Sequence, residues 1–503
     1  MPTTVWITGD QCSMRNSALA GSAKESTIVL MIESIARGNL KRYHKKKLVL
    51  IYSIMRHFAD ELRNDGWSVD YYKEHNDFAA AVAEHIEKHR PDRMLMMEQS
   101  EFGMDERLTK LFGDIKTQVL PHCNFISTAE EFEKLHTGKD TRVTMENFYH
   151  VMRKKTGLLM NNGKPEGGAW NYDKDNRKPP EADLKFPKLP NFPPDKITQE
   201  VIAMVEKHFG DHPGEISRWN YAVTRAQALE AADRFFEERI LNFGPYQDAM
   251  VADEPFGFHS VLSPYINTCL LHPLELAKRA ESSYHNGEAN LSSVEGFIRQ
   301  LIGWREYIWR VYWRMMPSYK ERNALNAGEP LPEFFWTGKT DMHCLKQSIG
   351  YANSLGYGHH ILRLMILGNF ALLAGLEPLE VNEWFSCMYV DGYDWVMVPN
   401  VIGMALHADG GYVGTKPYAA SANYINRMSD YCGKCKYNPK ETIADDACPF
   451  NALYWDFLAR NREVFAKNHR MQMMLKNLDS RPPEFLKGAR ERARKLIANM
   501  QAI

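Results

Sequence analysis

The first 130 or so residues alternate short apolar runs with amphipathic stretches. Val5-Trp6-Ile7-Thr8 predicts a buried strand that ends in the turn Gly9-Asp10-Gln11. Ser26 to Glu33 predicts a second strand with an acidic end, Trp67 to Tyr72 a third by alternation, and Arg93 to Glu98 a fourth after Pro91. Leu48-Val49-Leu50-Ile51 opens a segment that becomes helical through Met55 to Phe58, and Ala79 to His89 reads as a helix. This βαβ rhythm predicts a parallel, Rossmann-like sheet covered by helices. Ligands of such sheets lie beyond the strand C-termini, where Asp10, Gln11 and Glu33 fall.

Between about 162 and 196 the pattern breaks into Gly- and Pro-rich sequence: Gly163 to Gly168, then Pro179-Pro180, Pro187, Pro190 and Pro193-Pro194. Such a stretch cannot sustain a helix and predicts an extended connection. From 197 to about 480 the apolar positions recur at helical spacing. Examples are Ala228, Ala232, Phe235 and Phe236 within Thr224 to Arg239, then Val294 to Met315 and Gly358 to Leu373. Arg490 to Lys495 predicts a charged terminal helix. No internal repeat or low-complexity tract stands out. The expected organisation is an α/β domain over 1–135, a linker over 136–196 and a large all-α domain over 197–503.

A chain of 503 residues with 44% hydrophobic and 25% charged residues is that of an ordinary folded protein. A formal charge of −1 excludes a general nucleic-acid coat. A DNA-binding surface would therefore need clustered cations, and His44-Lys45-Lys46-Lys47 and Arg153-Lys154-Lys155 are candidates, each readable also as a solvated face. No apolar run reaches eighteen residues, so no membrane span is expected. The first residues lack a basic, then apolar, leader pattern. Eight Cys in so long a chain is not a disulfide framework. Together these predict a cytoplasmic protein with reduced thiols.

Cys432-Gly433-Lys434-Cys435 is a C-x-x-C pair, and Cys448 follows thirteen residues later, directly before Pro449. The pair lies in a helical, loop-rich region, not in the βαβ setting of a thioredoxin-like motif. Zinc takes four Cys or His ligands, and an iron–sulfur cluster takes four thiolates, with Cys-Pro recurring at such sites. Spacing leaves both open. Of Cys12, Cys123, Cys269, Cys344 and Cys387, Cys344 is chosen as the fourth ligand.

Three further stretches carry a resemblance. His259-Ser260-Val261-Leu262-Ser263-Pro264-Tyr265 resembles the S-x-L-S-P-Y signature of photolyases and cryptochromes. Gly303-Trp304-Arg305-Glu306-Tyr307 resembles their W-R-E-[FY] helix, and His359-His360-Ile361-Leu362-Arg363-Leu364 the H-H-L-A-R-H segment of (6-4) photolyases. The block Gly410 to Asn461 and the segment Thr144 to Met160 resemble the iron–sulfur bacterial branch of that family, and the resemblance spans nearly the whole chain.

The resemblance implies a cryptochrome/photolyase architecture and light-driven repair of (6-4) lesions in ultraviolet-damaged DNA by a monomer. A blue-light photoreceptor with the same cofactors is the alternative. It implies FAD on Ser260, Leu262, Ser263, Trp304, Arg305, Arg363, Asp391 and Asn400. A [4Fe–4S] cluster would sit on Cys344, Cys432, Cys435 and Cys448. A 6,7-dimethyl-8-ribityllumazine antenna would lie at Asp10, Gln11, Glu33 and Ile51. His360 takes the proton-donor role with His359 beside it, and Trp384 and Trp336 match electron-transfer positions. Three positions depart from the pattern: Leu364 replaces a further His, Phe385 stands where relatives can carry Tyr, and Arg37 where they can carry an acid.

Overall fold

The computed structural model describes residues 2–136, 142–181 and 183–502; residues 137–141 and 182 of the expected linker lie outside them. Five strands form one parallel sheet: β1 (Thr3–Trp6), β2 (Thr27–Ser34), β3 (Ser68–His75), β4 (Arg93–Met97) and β5 (Lys116–Leu120), in the order β3-β2-β1-β4-β5. In-register partners such as Val5, Val29 and Leu95 send alternate residues to opposite faces. Val5, Val29, Met31 and Leu95 join the large core shared with the helical half, whereas Trp6, Leu30, Ile32, Met94 and Met96 build a separate small core with Ala81, Leu108 and Phe112. Burial on both faces explains why β1, β2 and β4 read as near-continuous apolar runs, while β3, at the opposite edge from β5, alternates. β5 escapes that signal because Lys-Thr-Gln-Val-Leu is a half-exposed edge strand with no apolar run.

Helix α1 (Lys45–Asn64) lies between sheet and helical half, and α2 (Phe78–His89) covers the other face. The apolar run Leu48 to Ile51 is thus wholly helical, buried on nearly all sides. The sheet order reverses between β1 and β4, and such switch points open a crevice beyond the strand ends. The chain leaves β1 through Thr8-Gly9-Asp10 and β4 through Gln99-Ser100-Glu101, and both turns line one cavity of about 160 Å³. A Cβ on Gly9 would meet Ile51 Cγ2 at 2.5 Å, so only glycine fits there.

Among the described residues, 162–195 hold only the strand Lys164–Pro165, paired with Met160–Asn161, and single turns before Lys196–Phe209 begins. They are packed down: Lys178 N donates to the Pro245 carbonyl at 2.9 Å and Phe192 N to Asn220 Oδ1 at 2.6 Å. Helices then dominate to Pro483–Ala498. Leu291 to Met315 is one continuous rod whose middle, Arg299–Arg305, widens into π turns. Leu362–Gly368 and Pro399–Ala405 do the same. Such widenings mark functional positions, and these three carry Trp304 and Arg305, Leu362 and Arg363, and Asn400. No helix among the described residues is long and apolar enough to cross a membrane.

Candidate active site and cofactor sites

At the start of Leu362–Gly368, Arg363 turns back onto Asp391. Its Nη1 and Nη2 donate to Asp391 Oδ1 and Oδ2 at 2.9 and 3.1 Å, and its Nε to the Gly358 carbonyl at 2.5 Å. Ser263 Oγ donates to Asp391 Oδ2 at 2.6 Å and Asn267 Nδ2 to the Asp391 carbonyl at 3.1 Å. The guanidinium lies 3.9 Å over the Tyr389 ring. Tyr389 in turn meets Trp384 edge-on at 5.8 Å. Trp384 is fully buried, its indole N–H donating to the Phe335 carbonyl at 2.8 Å, whereas Trp336, one residue on, is half-buried. Phe385 packs against both Trp384 and Tyr389.

Three imidazoles meet beside this ion pair. His259 and His359 stack at 4.5 Å and 9°, and His360 approaches His259 at 5.2 Å and 74°. His259 Nε2 and His359 Nδ1 are buried without a hydrogen-bond partner. Burial, with the neighbouring imidazoles, pulls both histidines well below their ordinary range, so both are neutral near pH 7. The His360 side chain is 52% exposed, and Asp248 Oδ1 lies 3.7 Å from its Nε2. Near Asp248 lie Tyr424, with Arg427, and Lys416, with Arg470; Arg177, between them, is ion-paired with Asp173.

The expected basic clusters are elsewhere. Lys46 and Lys47 are buried, not solvated: Lys46 Nζ donates to the Ser354 and Arg218 carbonyls at 2.5 and 3.4 Å, and Lys47 Nζ to the Ser386 carbonyl at 3.0 Å and to that of Gly392. They bolt α1 to the helical half, and burial brings both ammonium groups down to about 8. Arg153 is likewise buried against the carbonyls of Leu158, Leu159 and Trp170.

Lys46, Arg218, Ser260, Val261 and Tyr265 share a second cavity of about 40 Å³. Val261 holds φ at 55°, uncommon for a β-branched residue and typical of strained ligand clamps. Two cations and a hydroxyl on such a turn suit a diphosphate. Leu262 is buried behind it.

Other expected flavin residues stand apart from this group. Arg305 stacks over Phe125 at 4.0 Å and Trp395 at 5.2 Å and donates to the Asn124 carbonyl at 2.8 Å. Glu306 accepts from the Ile126 and Ser127 amides at 3.0 and 2.8 Å. The W-R-E sequence is therefore the joint that clasps the loop after β5 to the helical rod. Trp304 is half-buried against Tyr307, and Asn400 Nδ2 donates to the Val396 carbonyl at 2.8 Å.

Of the expected antenna residues, Asp10 and Ile51 line the switch-point cavity together with Arg37, Glu101, Lys47 and Tyr43. Glu33 and Gln11 do not. Glu33 is fully buried, accepting from Arg56 Nε and Nη2 at 2.6 and 2.9 Å, Tyr71 Oη at 2.7 Å and the Glu74 amide at 3.1 Å. A carboxylate so saturated has no lone pair left for a ligand. Gln11 Nε2 donates to the Met97 and Glu98 carbonyls at 3.2 and 2.9 Å, tying the loop to β4. The non-acidic Arg37 is ion-paired with Glu101 at the cavity wall.

Cys344, Cys432, Cys435 and Cys448 converge on one small cavity walled by Met342, Ile425, Tyr431 and Phe450. Burial pushes the Cys432 and Cys448 thiols up to about 11 and about 12. Among the described residues, only His259–His359–His360 and Asp70–His85–His89 bring three ligand atoms within 4.8 Å of one another. No three of the four sulfurs lie within 4.8 Å of one another, whereas one tetrahedral ion with bonds of ~2.3 Å draws all its ligands closer than that.

The geometry agrees with what the chain is similar to. A family model described as deoxyribodipyrimidine photo-lyase-related protein matches residues 5–221. A (6-4) photolyase of Agrobacterium fabrum is 48% identical over 478 residues, 94% of each chain. A class III photolyase structure from Agrobacterium tumefaciens shares the fold at a TM-score of 0.60 and 16% identity, covering 99% of this chain and 97% of its own. A Synechocystis cryptochrome does so at 0.55 and 13%, covering 80% and 82%. With near-half identity held across almost the whole of both chains, this protein belongs to the iron–sulfur bacterial cryptochrome and photolyase family, the family of that (6-4) photolyase.

Proposed function

We propose that this chain repairs (6-4) photoproducts in ultraviolet-damaged DNA under light, with His360 as the proton donor. The family implies a flavin. The observation that carries the reading is the imidazole trio: two buried, neutral rings pack against a third, half-exposed one, and the His359 carbonyl accepts from the amide of Arg363, which is paired with Asp391. Photolyases extrude their target nucleotide from the duplex, so the reacting base must enter from the side that His360 faces. Lys416, Arg427 and Arg470, grouped near Asp248, suit phosphates, and Tyr418 and Tyr424 among them offer stacking faces.

A bound, reduced flavin supplies one electron to the lesion when it absorbs light. The chain's own part is to hold that group, exclude water and deliver a proton. Ser260, Lys46 and Arg218 hold the diphosphate, and Arg363, Asp391 and Asn400 flank the rings. His259 and His359 stay neutral at pH 7 because they are buried, so only His360 can bring a proton from solvent to the flipped base. Asp248 orients it. Trp384, stacked edge-on to Tyr389, and the outer Trp336 form the route by which electrons reach the flavin. The four cysteines hold a [4Fe–4S] cluster; their spacing, too wide for one ion, supports a polynuclear group. The switch-point cavity takes a ribityllumazine antenna against Asp10 and Ile51. The protein acts as a monomer in the cytoplasm.

The test is direct. Reduced, flavin-loaded protein and a (6-4) oligonucleotide are illuminated with blue light, and restored bases are counted by chromatography. Repair is expected. Fully loaded protein that binds the lesion and never restores it would leave the photoreceptor reading.

A further inference from the structure

We propose that the outer edge of the α/β half carries a second metal site, for a zinc-class divalent ion, built from Asp70, His85 and His89. Neither the light-driven reaction nor the cysteine site uses these residues. β3 is the edge strand of the sheet, and Asp70 projects from it toward α2. His85 and His89 stand one turn apart near the end of α2, so both rings leave the same face of the helix. Ring centroids lie 4.7 Å apart.

Both imidazoles converge on a single carboxylate oxygen. His85 Nδ1 is 2.8 Å and His89 Nε2 2.9 Å from Asp70 Oδ2. All three ligand atoms lie within 4.8 Å of one another. Two imidazoles and a carboxylate, with a further position open, is a set that Zn²⁺ accepts at ~2.0–2.2 Å. The His89 side chain is 19% exposed, so the open position faces water, whereas His85 is fully buried.

The surroundings have the second layer that such sites need. His85 Nε2 lies 2.8 Å from Thr4 Oγ1 on β1. When Nδ1 holds a metal, the neutral ring takes the other tautomer, with its proton on Nε2 donated to that hydroxyl, which fixes the ring. Tyr72 Oη donates to Asp70 Oδ2 at 3.1 Å and Lys88 Nζ to Oδ1 at 2.8 Å. The Lys88 side chain is 61% exposed and free to swing away from an arriving cation. On binding, the ion replaces the two imidazole N–H groups now aimed at Oδ2. It pins the last turn of α2 to the edge strand.

Flavin-loaded, full-length protein with its iron intact is dialysed against micromolar Zn²⁺. Zinc and iron per chain are then counted by mass spectrometry, and melting is followed by flavin fluorescence. Wild type should hold one zinc more per chain than His89→Ala, at equal iron, and its zinc-induced rise in melting temperature should vanish in the variant. His89 is partly exposed, so His89→Ala should fold, and its flavin spectrum checks this. Thr4→Val should weaken zinc about tenfold by loosening the His85 ring, and Lys88→Ala should tighten it. Equal zinc in wild type, His89→Ala and Asp70→Asn, or no zinc in wild type, would overturn the site.

Discussion

Two clusters of like side chains lie buried in the helical half, and the same physics pushes them in opposite directions. Burial drives the Cys432 and Cys448 thiols up and the His259 and His359 imidazoles down, because a low dielectric disfavours thiolate and imidazolium alike. Without a metal group the thiols are neutral, as the imidazoles are, but the two clusters are tied in differently. The thiols come from the first turn of His343–Leu355, the turn Tyr431–Lys434 with Cys435 after it, and the residue preceding Pro449–Arg460. Holding them together closes long loops. The imidazoles come from two adjoining places that the backbone already fixes, with Arg239 on the His259 carbonyl and Arg363 N on that of His359. One cluster should carry stability and the other reactivity.

The largest effect should come from Cys432→Ser. A domain has only ~5–15 kcal/mol of stability in total, and a metal site that joins distant segments is itself folding energy. The variant should lose iron and give little flavin-loaded protein, measured as iron and flavin per chain. Cys387→Ala, a buried cysteine outside the set, should keep both. A Cys432→Ser protein that folds, loads flavin and melts near wild type would erase the contrast. Next comes His360→Ala, which should cut repair by about 10²–10⁴-fold, the usual worth of a positioned acid. Lesion binding and melting temperature should not move, because the ring is half exposed. Undiminished repair would remove His360 from the reaction. A large drop in melting temperature would mean that the histidines are structural after all.

How much of this was legible in the residues depends on what each signal measures. Apolar runs report burial, so the inner strands β1, β2 and β4 and the long helices were readable, the edge strand β3 showed only through its alternation, and the polar edge strand β5 did not show. Motif resemblance reports position in a family, and it found Arg363, Asp391, Ser263 and His360, which the structure gathers within one neighbourhood. Neither signal reports what a side chain is already bonded to. Glu33 looked available and is saturated by Arg56 and Tyr71; Lys46 and Lys47 looked solvated and are buried against carbonyls. Arg305 looked like a flavin contact and is a joint. The partner of each lies far away in sequence, so only tertiary structure reveals it. His259 lay inside a quoted motif, but its role needed the stacking on His359 to be seen.

The smallest effect distinguishes the clusters by pH. In the unfolded chain histidine titrates near 6.5; His259 and His359 in the folded chain do so far lower, as do His44, at about 4, and His122, at about 3. Below about 6.5 the unfolded chain therefore binds more protons, and stability falls with falling pH. It is fully present above that value. Each such histidine contributes a slope of up to ~1.4 kcal/mol per pH unit. Thiols with raised values act in the other sense: in a metal-free chain their contribution holds below the ordinary value of 9.0 and is lost as pH rises. Urea midpoints of flavin-loaded protein, taken between about pH 7 and about pH 5, should thus show the acid limb alone. His259→Phe fills the same stacked position with a ring that cannot titrate, so its acid limb should be shallower by one histidine's share, with the other buried histidines, His359, His44 and His122 among them, supplying the rest. An identical slope in variant and wild type would mean that His259 takes up its proton as readily folded as unfolded. The trio would then no longer reserve proton delivery for His360.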